Sequence, residues 1–194
     1  TSTNPELTLY QYAICPYCNI AKAVLNYTNT KFTIQEVNPL TKKELKNLPD
    51  PTYRKVPILL STTNNREQEQ INGSESIVDH IISMTPASSS SPTASSNITI
   101  SNNDIDTTSP SSQKWTTFAR EELAPLLYPN LCNTLTNSYA AFGYVHGANS
   151  PFSITQRYAI QFIGSLAMYM AASKVKSKCD AHGRDILGTV VRRW

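Results

Sequence analysis

The sequence predicts an α/β domain followed by an all-α domain. Three observations predict it. Short apolar runs alternate with helical periodicities up to residue 85, a Ser-rich tract without lysine or arginine follows between Pro86 and Gln113, and beyond it apolar residues recur only at helical spacing. The boundaries are accordingly residues 1–85, a linker at 86–113, and a helical domain at 114–194.

Leu7-Thr8-Leu9-Tyr10-Gln11-Tyr12 alternates in β-forming residues and reads as a strand. Pro16 suits the first turn of a helix, which places Ile20, Ala23, Val24 and Tyr27 on one face. Phe32 to Val37 reads as a second strand. Thr41 to Leu48 reads as a short helix, with Glu44 three residues after a candidate cap at Thr41. Val56 to Leu60 is predicted as a buried strand, Thr62 to Asn65 as a hairpin turn, and Gln68 to Asn72 as the return strand. Ser74 then opens a helix through Ile77, Val78, Ile81 and Ile82. The order βαβαββα is that of a thioredoxin fold.

The tract from Pro86 to Gln113 cannot bury enough apolar surface to offset its ordering entropy, and reads as a flexible linker without chemistry of its own. After it, Trp115, Phe118, Ala119, Leu123, Leu126 and Leu127 are expected on one apolar face, and Leu131, Leu135, Tyr139 and Phe142 on another. Ser153 with Gln156 makes a capping box ahead of a long helix, Ile154 to Lys178. Apolar residues on most sides of Ile160 to Ala172 predict a central, buried position for it. Leu187, Val190, Val191 and Trp194 begin a further amphipathic helix on which the sequence stops, so the helical domain is read as a truncated one.

A net charge of +3 with scattered cations gives no basic stripe, which argues against a nucleic-acid partner. Four cysteines stand at positions 15, 18, 132 and 179, too sparse for a secreted disulfide scaffold. Cys132 and Cys179 read as ordinary helix or core residues. His80, His146 and His182 read as one helix-surface residue and two loop residues without catalytic duty. The stretch Tyr158 to Ala172 is too short to span a bilayer. No signal peptide or targeting segment is present. The sequence opens at Thr1 without a methionine, and an upstream targeting or membrane segment is expected outside it.

The chemistry centres on Cys15-Pro16-Tyr17-Cys18. The thiolate is the reactive form of cysteine. A cysteine just before a helix faces unpaired backbone N–H groups and the positive end of the helix dipole. Cys15 is therefore the candidate nucleophile, its sulfur expected at an exposed domain edge. Cys18, one turn on, is placed to resolve a mixed disulfide. Zinc shares the C-x-x-C spacing, but no second ligand pair exists, so no metal site is expected. Tyr12 either hydrogen-bonds the sulfur or is a core aromatic on a strand face; spacing does not separate the two.

Val56-Pro57 is the second feature, since proline at a strand start needs a reason. In thioredoxin folds this proline is cis and lies beside the reactive cysteine. Val56 is then placed to pair its backbone with the cysteinyl part of glutathione, as an added strand does. A plain edge-strand proline is the competing reading. Asn72-Gly73-Ser74 opens the next helix, where free N–H groups and the Ser74 hydroxyl form a carboxylate site suited to a γ-glutamyl group. Ser74 as an N-cap is compatible with that. Arg54, Lys55 and Glu75 read as solvated charges, either cation being able to help hold an anionic ligand.

Leu7 to Tyr12, the Cys15-to-Cys18 motif, Glu36-Val37-Asn38-Pro39 and Tyr53-Arg54-Lys55-Val56-Pro57-Ile58-Leu59 together resemble the microsomal prostaglandin E synthase type 2 family. The likeness continues in Lys114-Trp115, Tyr128-Pro129-Asn130 and Ala167-Met168-Tyr169-Met170, and omits residues 86–113. This family joins a glutaredoxin-like domain to a helical glutathione-transferase-like domain. The resemblance implies a glutathione-dependent isomerase converting prostaglandin H2, a lipid endoperoxide, to prostaglandin E2. It also implies a homodimer when full length, membrane association through an upstream segment with the catalytic domains facing the cytosol, and haem bound together with glutathione. By position, Cys15 is the essential thiol, Tyr12 its hydrogen-bond partner, and Val56 with Ser74 hold glutathione. The family usually has an aspartate where this chain has Gly73, which puts one contact in doubt unless Glu75 replaces it. A glutaredoxin-type thiol–disulfide oxidoreductase and a non-catalytic glutathione and haem binder are the alternatives.

Overall fold

A computed structural model describes residues 5–84, 109–148 and 150–180. The chain divides into two compact units, one up to Ser109 and one from Pro110 onward, with Asn38–Thr41 grouped with the second.

The first unit runs β1 (Glu6–Gln11), α1 (Pro16–Tyr27), β2 (Thr33–Glu36), a 3-10 turn (Lys43–Leu45), β3 (Ile58–Thr62), β4 (Gln68–Asn72) and α2 (Ser74–Met84). The sheet order is β2-β1-β3-β4. β2 lies parallel to β1, a pairing that needs a crossover, which α1 supplies. β3 lies antiparallel to both β1 and β4. This is the mixed sheet of a thioredoxin-like domain, as the sequence predicts.

Strand alternation sorts the core into two layers. Leu7 and Leu9 of β1, Leu59 of β3 and Ile71 of β4 meet Ala21, Leu25, Ile77 and Ile81 of the helices. Ile58 and Leu60 point the other way, onto Val37, Leu45 and Leu48, with Tyr10, Tyr12, Tyr53 and Val56 packed around them. Side chains of period two face opposite sides, so one strand serves both layers.

Two local readings of this unit change. The buried stripe of α1 is Cys18, Ala21 and Leu25, whereas Ile20 and Tyr27 are exposed, Ala23 with them. Both stripes have helical spacing, but the small side chains at 18 and 21 let the helix approach the sheet closely. The predicted helix from Thr41 shortens to the Lys43–Leu45 turn, capped by Lys42 in the left-handed region (φ 48°) without a side-chain bond, so Thr41 is not its cap.

The second unit comprises α3 (Pro110–Thr117), a π-helical segment (Phe118–Leu123), α4 (Ala124–Leu131), α5 (Leu135–Ala141), a 3-10 turn (Phe142–His146) and α6 (Ile154–Asp180). Residues 110–113, read as linker, are thus helical; the linker residues 86–108 and the helix expected from Leu187 lie outside the described residues. The capping box forms: Ser153 N–H donates to Gln156 Oε1 at 3.1 Å, and Gln156 N–H to Ser153 Oγ at 3.4 Å. Gly164 of α6 lies against the Phe142 ring, where a Cβ would come within 2.5 Å of a ring carbon. Gln161 of α6 donates Nε2–H to the Tyr139 carbonyl at 3.1 Å, which turns its Oε1 toward His146 Nε2 at 2.8 Å.

The expected apolar faces of this unit are not continuous. Trp115 is 48% exposed, and α3 buries no residue. The π-helical segment breaks the 3.6-residue period between Trp115 and Leu126, and rotates the stripes out of line. Leu131 and Leu135 end and begin separate helices, and both are exposed, as is Tyr139. α6 is not buried all round. α4, α5 and the 3-10 turn pack against it. Ile160, Gln161, Ser165 and Ala172 are buried, while Tyr158, Phe162, Ile163, Leu166 and Met170 face outward.

Candidate functional site

Cys15 is the N-cap residue of α1, in extended conformation (φ −77°, ψ 122°), with Pro16 as the first helical residue. Its N–H donates to the Tyr12 carbonyl at 3.0 Å and its carbonyl accepts from Asn19 N–H at 3.0 Å. The first bond closes the turn leaving β1, and the second starts the helix. The sulfur therefore sits at the helix N-terminus, where the dipole favours a negative charge.

Both cysteines are free thiols and both are buried, Cys15 keeping 9% of its surface and Cys18 none. The sequence had placed the Cys15 sulfur at an exposed edge. Instead the closed Tyr12–Cys15 turn folds it back toward the helix, where Cys18 bonds to it. The bond to Cys15, then burial, then the negative charge of Cys15 push the Cys18 thiol far up, with Glu36 adding to the effect. Cys18 is consequently the protonated member of the pair and Cys15 the acceptor. That division suits a nucleophile and a resolving thiol.

Tyr12 packs against the second core layer, within electrostatic reach of both sulfurs. Burial first, then Cys18 and Cys15, push its phenol up to about 12, so it stays a donor at neutral pH. The core-aromatic side of the alternative left open at this position is therefore present in the packing.

The Val56–Pro57 bond is cis. The Pro57 carbonyl accepts Gly73 N–H at 3.0 Å, which ties this turn to the start of α2. The Val56 backbone N–H and C=O make no hydrogen bond among the described residues, so an extended peptide can pair with them. Gly73 adopts φ +88°, a conformation that disfavours any side chain there, aspartate included. Its carbonyl accepts Ile77 N–H at 3.1 Å, so Gly73 holds the N-cap position and Ser74 is the first helical residue rather than the cap. The Ser74 hydroxyl makes no hydrogen bond among the described residues. Glu75 lies exposed in the first turn of α2, and Arg54 and Lys55 are exposed as well. Cys15, Cys18, Tyr12, Val56, Pro57, Gly73, Ser74 and Glu75 all belong to the first unit.

Three further residues enter the site. Glu36, at the end of β2, accepts Ala13 N–H through Oε1 at 2.8 Å and Gln11 Nε2–H through Oε2 at 3.2 Å. Burial raises its carboxyl above the usual range, against those two bonds and Lys22. Gln11 is buried, and its Oε1 has no hydrogen-bond partner among the described residues. Tyr53 packs against the same core layer as Tyr12, and its hydroxyl lies 3.8 Å from the place a Cβ would take on Gly73. Burial first, then the proximity of Cys18, raise its phenol. The signals were present in the Glu36-Val37-Asn38-Pro39 and Tyr53-to-Leu59 strings, but nothing local in them announces contact with the thiol loop or with α2.

Of the remaining cysteines and histidines, Cys132 is buried, His80 is half-buried on α2 and His146 is bonded to Gln161. His182 and the Cys179 side chain lie outside the described residues. Among the described residues no group of three metal-ligating side chains forms.

Residues 9–89 match the glutathione S-transferase N-terminal domain family. Prostaglandin E synthase 2 of Danio rerio is 28% identical over 99% of this chain and 57% of its own length. Prostaglandin E synthase 2 of Mus musculus is 25% identical over 91% of this chain and 52% of its own. The chain thus spans about half the length of the curated relatives it matches. Among solved structures, glutathione transferase Omega 2S from Trametes versicolor aligns with a TM-score of 0.48 at 14% identity, over 98% of this chain and 90% of that one. Glutaredoxin 2 from Salmonella typhimurium in complex with glutathione aligns with a TM-score of 0.42 at 16% identity, over 92% of this chain and 70% of that one. The described residues up to Met84 form a thioredoxin-like domain, residues 9–89 match the glutathione S-transferase N-terminal domain, and a helical region follows, in a chain similar to prostaglandin E synthase 2.

Proposed function

We propose that this chain binds glutathione and acts as a glutathione-dependent isomerase, converting prostaglandin H2 to prostaglandin E2 with the Cys15 thiolate. One arrangement carries the reading: a cysteine at the N-terminus of α1 receives a bond from Cys18, in the same domain as an unpaired Val56 backbone next to a cis proline. The match to the transferase N-terminal domain and the likeness to the zebrafish and mouse synthases support it. Glutathione fits the residues present. The Val56 backbone offers both a donor and an acceptor, and Ser74 an open hydroxyl and a helix N-terminus for a carboxylate.

The isomerisation needs no outside oxidant or reductant. A base removes the hydrogen on one peroxide-bearing ring carbon as a proton, the electron pair of that C–H bond forms C=O, and the O–O bond breaks. The departing oxygen then takes a proton and becomes the hydroxyl on the other carbon. Cys15 as thiolate is the base, and as thiol it returns the proton. Tyr12, protonated at neutral pH, is a donor in the same domain for the departing oxygen.

Homodimerisation and membrane association belong to this proposal through the resemblance alone. No helix among the described residues is long and apolar enough to cross a membrane. For haem, no feature of the described residues marks a site.

The Cys15–Cys18 contact favours a second reading, thiol–disulfide exchange. Cys15 thiolate attacks the glutathionyl sulfur of a mixed disulfide and releases the other thiol. Cys18 then displaces glutathione thiolate, leaving a Cys15–Cys18 disulfide and passing its proton to the leaving sulfur. The test incubates the protein with prostaglandin H2, with and without glutathione, beside Cys15→Ser, and identifies products by mass spectrometry. Prostaglandin E2 well above the spontaneous background, and lost in the variant, supports the isomerase. Background product from folded protein removes it and leaves the oxidoreductase.

A further inference from the structure

Gly73 leaves the entrance of α2 without a side chain, and a neighbouring residue reaches that place from another part of the chain. The hydroxyl of Tyr53 lies 3.8 Å from the position of a Cβ on Gly73. It makes no hydrogen bond among the described residues, and neither does the hydroxyl of Ser74 one residue further on.

Tyr53 is held firmly. Its ring packs against the second core layer. Its loop is pinned to β4, because Asp50 N–H donates to Gln70 Oε1 at 2.8 Å and Gln70 Nε2–H donates back to the Asp50 carbonyl at 3.3 Å. Thr52 N–H closes the loop on Asp50 Oδ1 at 3.0 Å. On the far side, Lys42 Nζ donates to the Arg54 carbonyl at 2.8 Å. A ring fixed on both flanks presents its hydroxyl with little entropy left to lose on binding. The same phenol lies within electrostatic reach of Cys18 as well as beside α2, and its ionisation, raised mainly by burial, keeps it an O–H donor.

We propose that the Tyr53 hydroxyl is a ligand-binding donor of this site, taking the space left by Gly73 and bonding to the α-carboxylate of a γ-glutamyl group. The inference rests on the glutathione reading and deepens it. Gly73 and Tyr53 then act as a pair. The glycine supplies the backbone conformation and the open space, and the tyrosine supplies the polar group from a different loop.

The experiment measures binding of S-methylglutathione, which takes no part in disulfide exchange, to wild type and Tyr53→Phe by titration calorimetry. An analogue in which 4-aminobutanoate replaces the γ-glutamyl group, and which therefore lacks the α-carboxylate, is titrated beside it. A hydrogen bond to a charged group predicts about a tenfold weaker binding of S-methylglutathione by Tyr53→Phe, with no further loss for the analogue. Unchanged binding in the variant overturns the role of Tyr53. Equal losses for both ligands overturn the assignment to the α-carboxylate. No binding by folded wild type overturns the glutathione site and the tyrosine with it.

Discussion

The Glu36 carboxylate of β2 accepts the backbone N–H of Ala13 at 2.8 Å, and so fastens the turn that delivers Cys15 to the start of α1. Its second oxygen accepts from Gln11, on the last residue of β1. One acidic side chain thus braces both ends of the approach to the thiol.

Glu36→Ala removes the acceptor for a partly buried N–H and is expected to cost about 1–3 kcal/mol, read by urea unfolding. Glu36→Gln keeps an acceptor and isolates the charge. Burial raises the folded-state ionisation of Glu36 above its unfolded value, so the stability it contributes is full below the ordinary carboxylate range and is lost as pH rises through the folded value. Glutamine imitates the protonated acid. The stability of Glu36→Gln relative to wild type should therefore increase from acidic to neutral pH. A constant difference across that range would contradict a buried, destabilised charge.

Cys18 donates to the Cys15 sulfur from a fully buried position. Cys18→Ala deletes the donor, and alkylation of Cys15 by iodoacetamide at neutral pH should slow by about tenfold, the effect of one hydrogen bond on a thiolate. Cys18→Ser keeps an O–H donor and should recover part of the rate. Mass spectrometry of the modified peptide locates the label. Equal rates in all three proteins would mean that the contact does not influence the nucleophile.

Ser74 is the first residue of α2 and Gly73 its N-cap. Ser74→Ala should therefore leave the thermal midpoint nearly unchanged, whereas loss of a true serine cap costs about 1 kcal/mol. The same variant should weaken S-methylglutathione binding by several-fold, about the worth of one hydrogen bond. A clear fall in stability with unchanged binding would return Ser74 to a capping role.

Gly164 gives Phe142 its place in the second unit. Gly164→Ala brings a methyl within 2.5 Å of the ring and should destabilise the protein by about 1–3 kcal/mol through overpacking. Restoring room with Phe142→Leu in the same chain should recover part of the loss. Calorimetric unfolding of Gly164→Ala, Phe142→Leu and the double variant decides it, and independent, additive effects would show that the two positions are not in contact.

Much of this protein is determined by sequence alone. Strand alternation in Leu7–Gln11 and Gln68–Asn72, proline at the first turn of α1, and the Ser153–Gln156 capping box are local signals, because each depends on residues a few positions apart. Cys15 at a helix start follows from the same local grammar. The tertiary structure decided what distance in the chain conceals. It chose Cys18, Ala21 and Leu25, with Val24 packed at their edge, over the equally periodic Ile20, Ala23 and Tyr27, because only packing on the sheet distinguishes two stripes of one helix. It joined Glu36 to Ala13 across 23 residues, and set the Tyr53 hydroxyl beside Gly73. It left one side of α6 exposed where apolar residues on most sides of Ile160 to Ala172 predict a central, buried position. Contacts between distant residues arise from the geometry of layers, and no spacing rule within a single element encodes them.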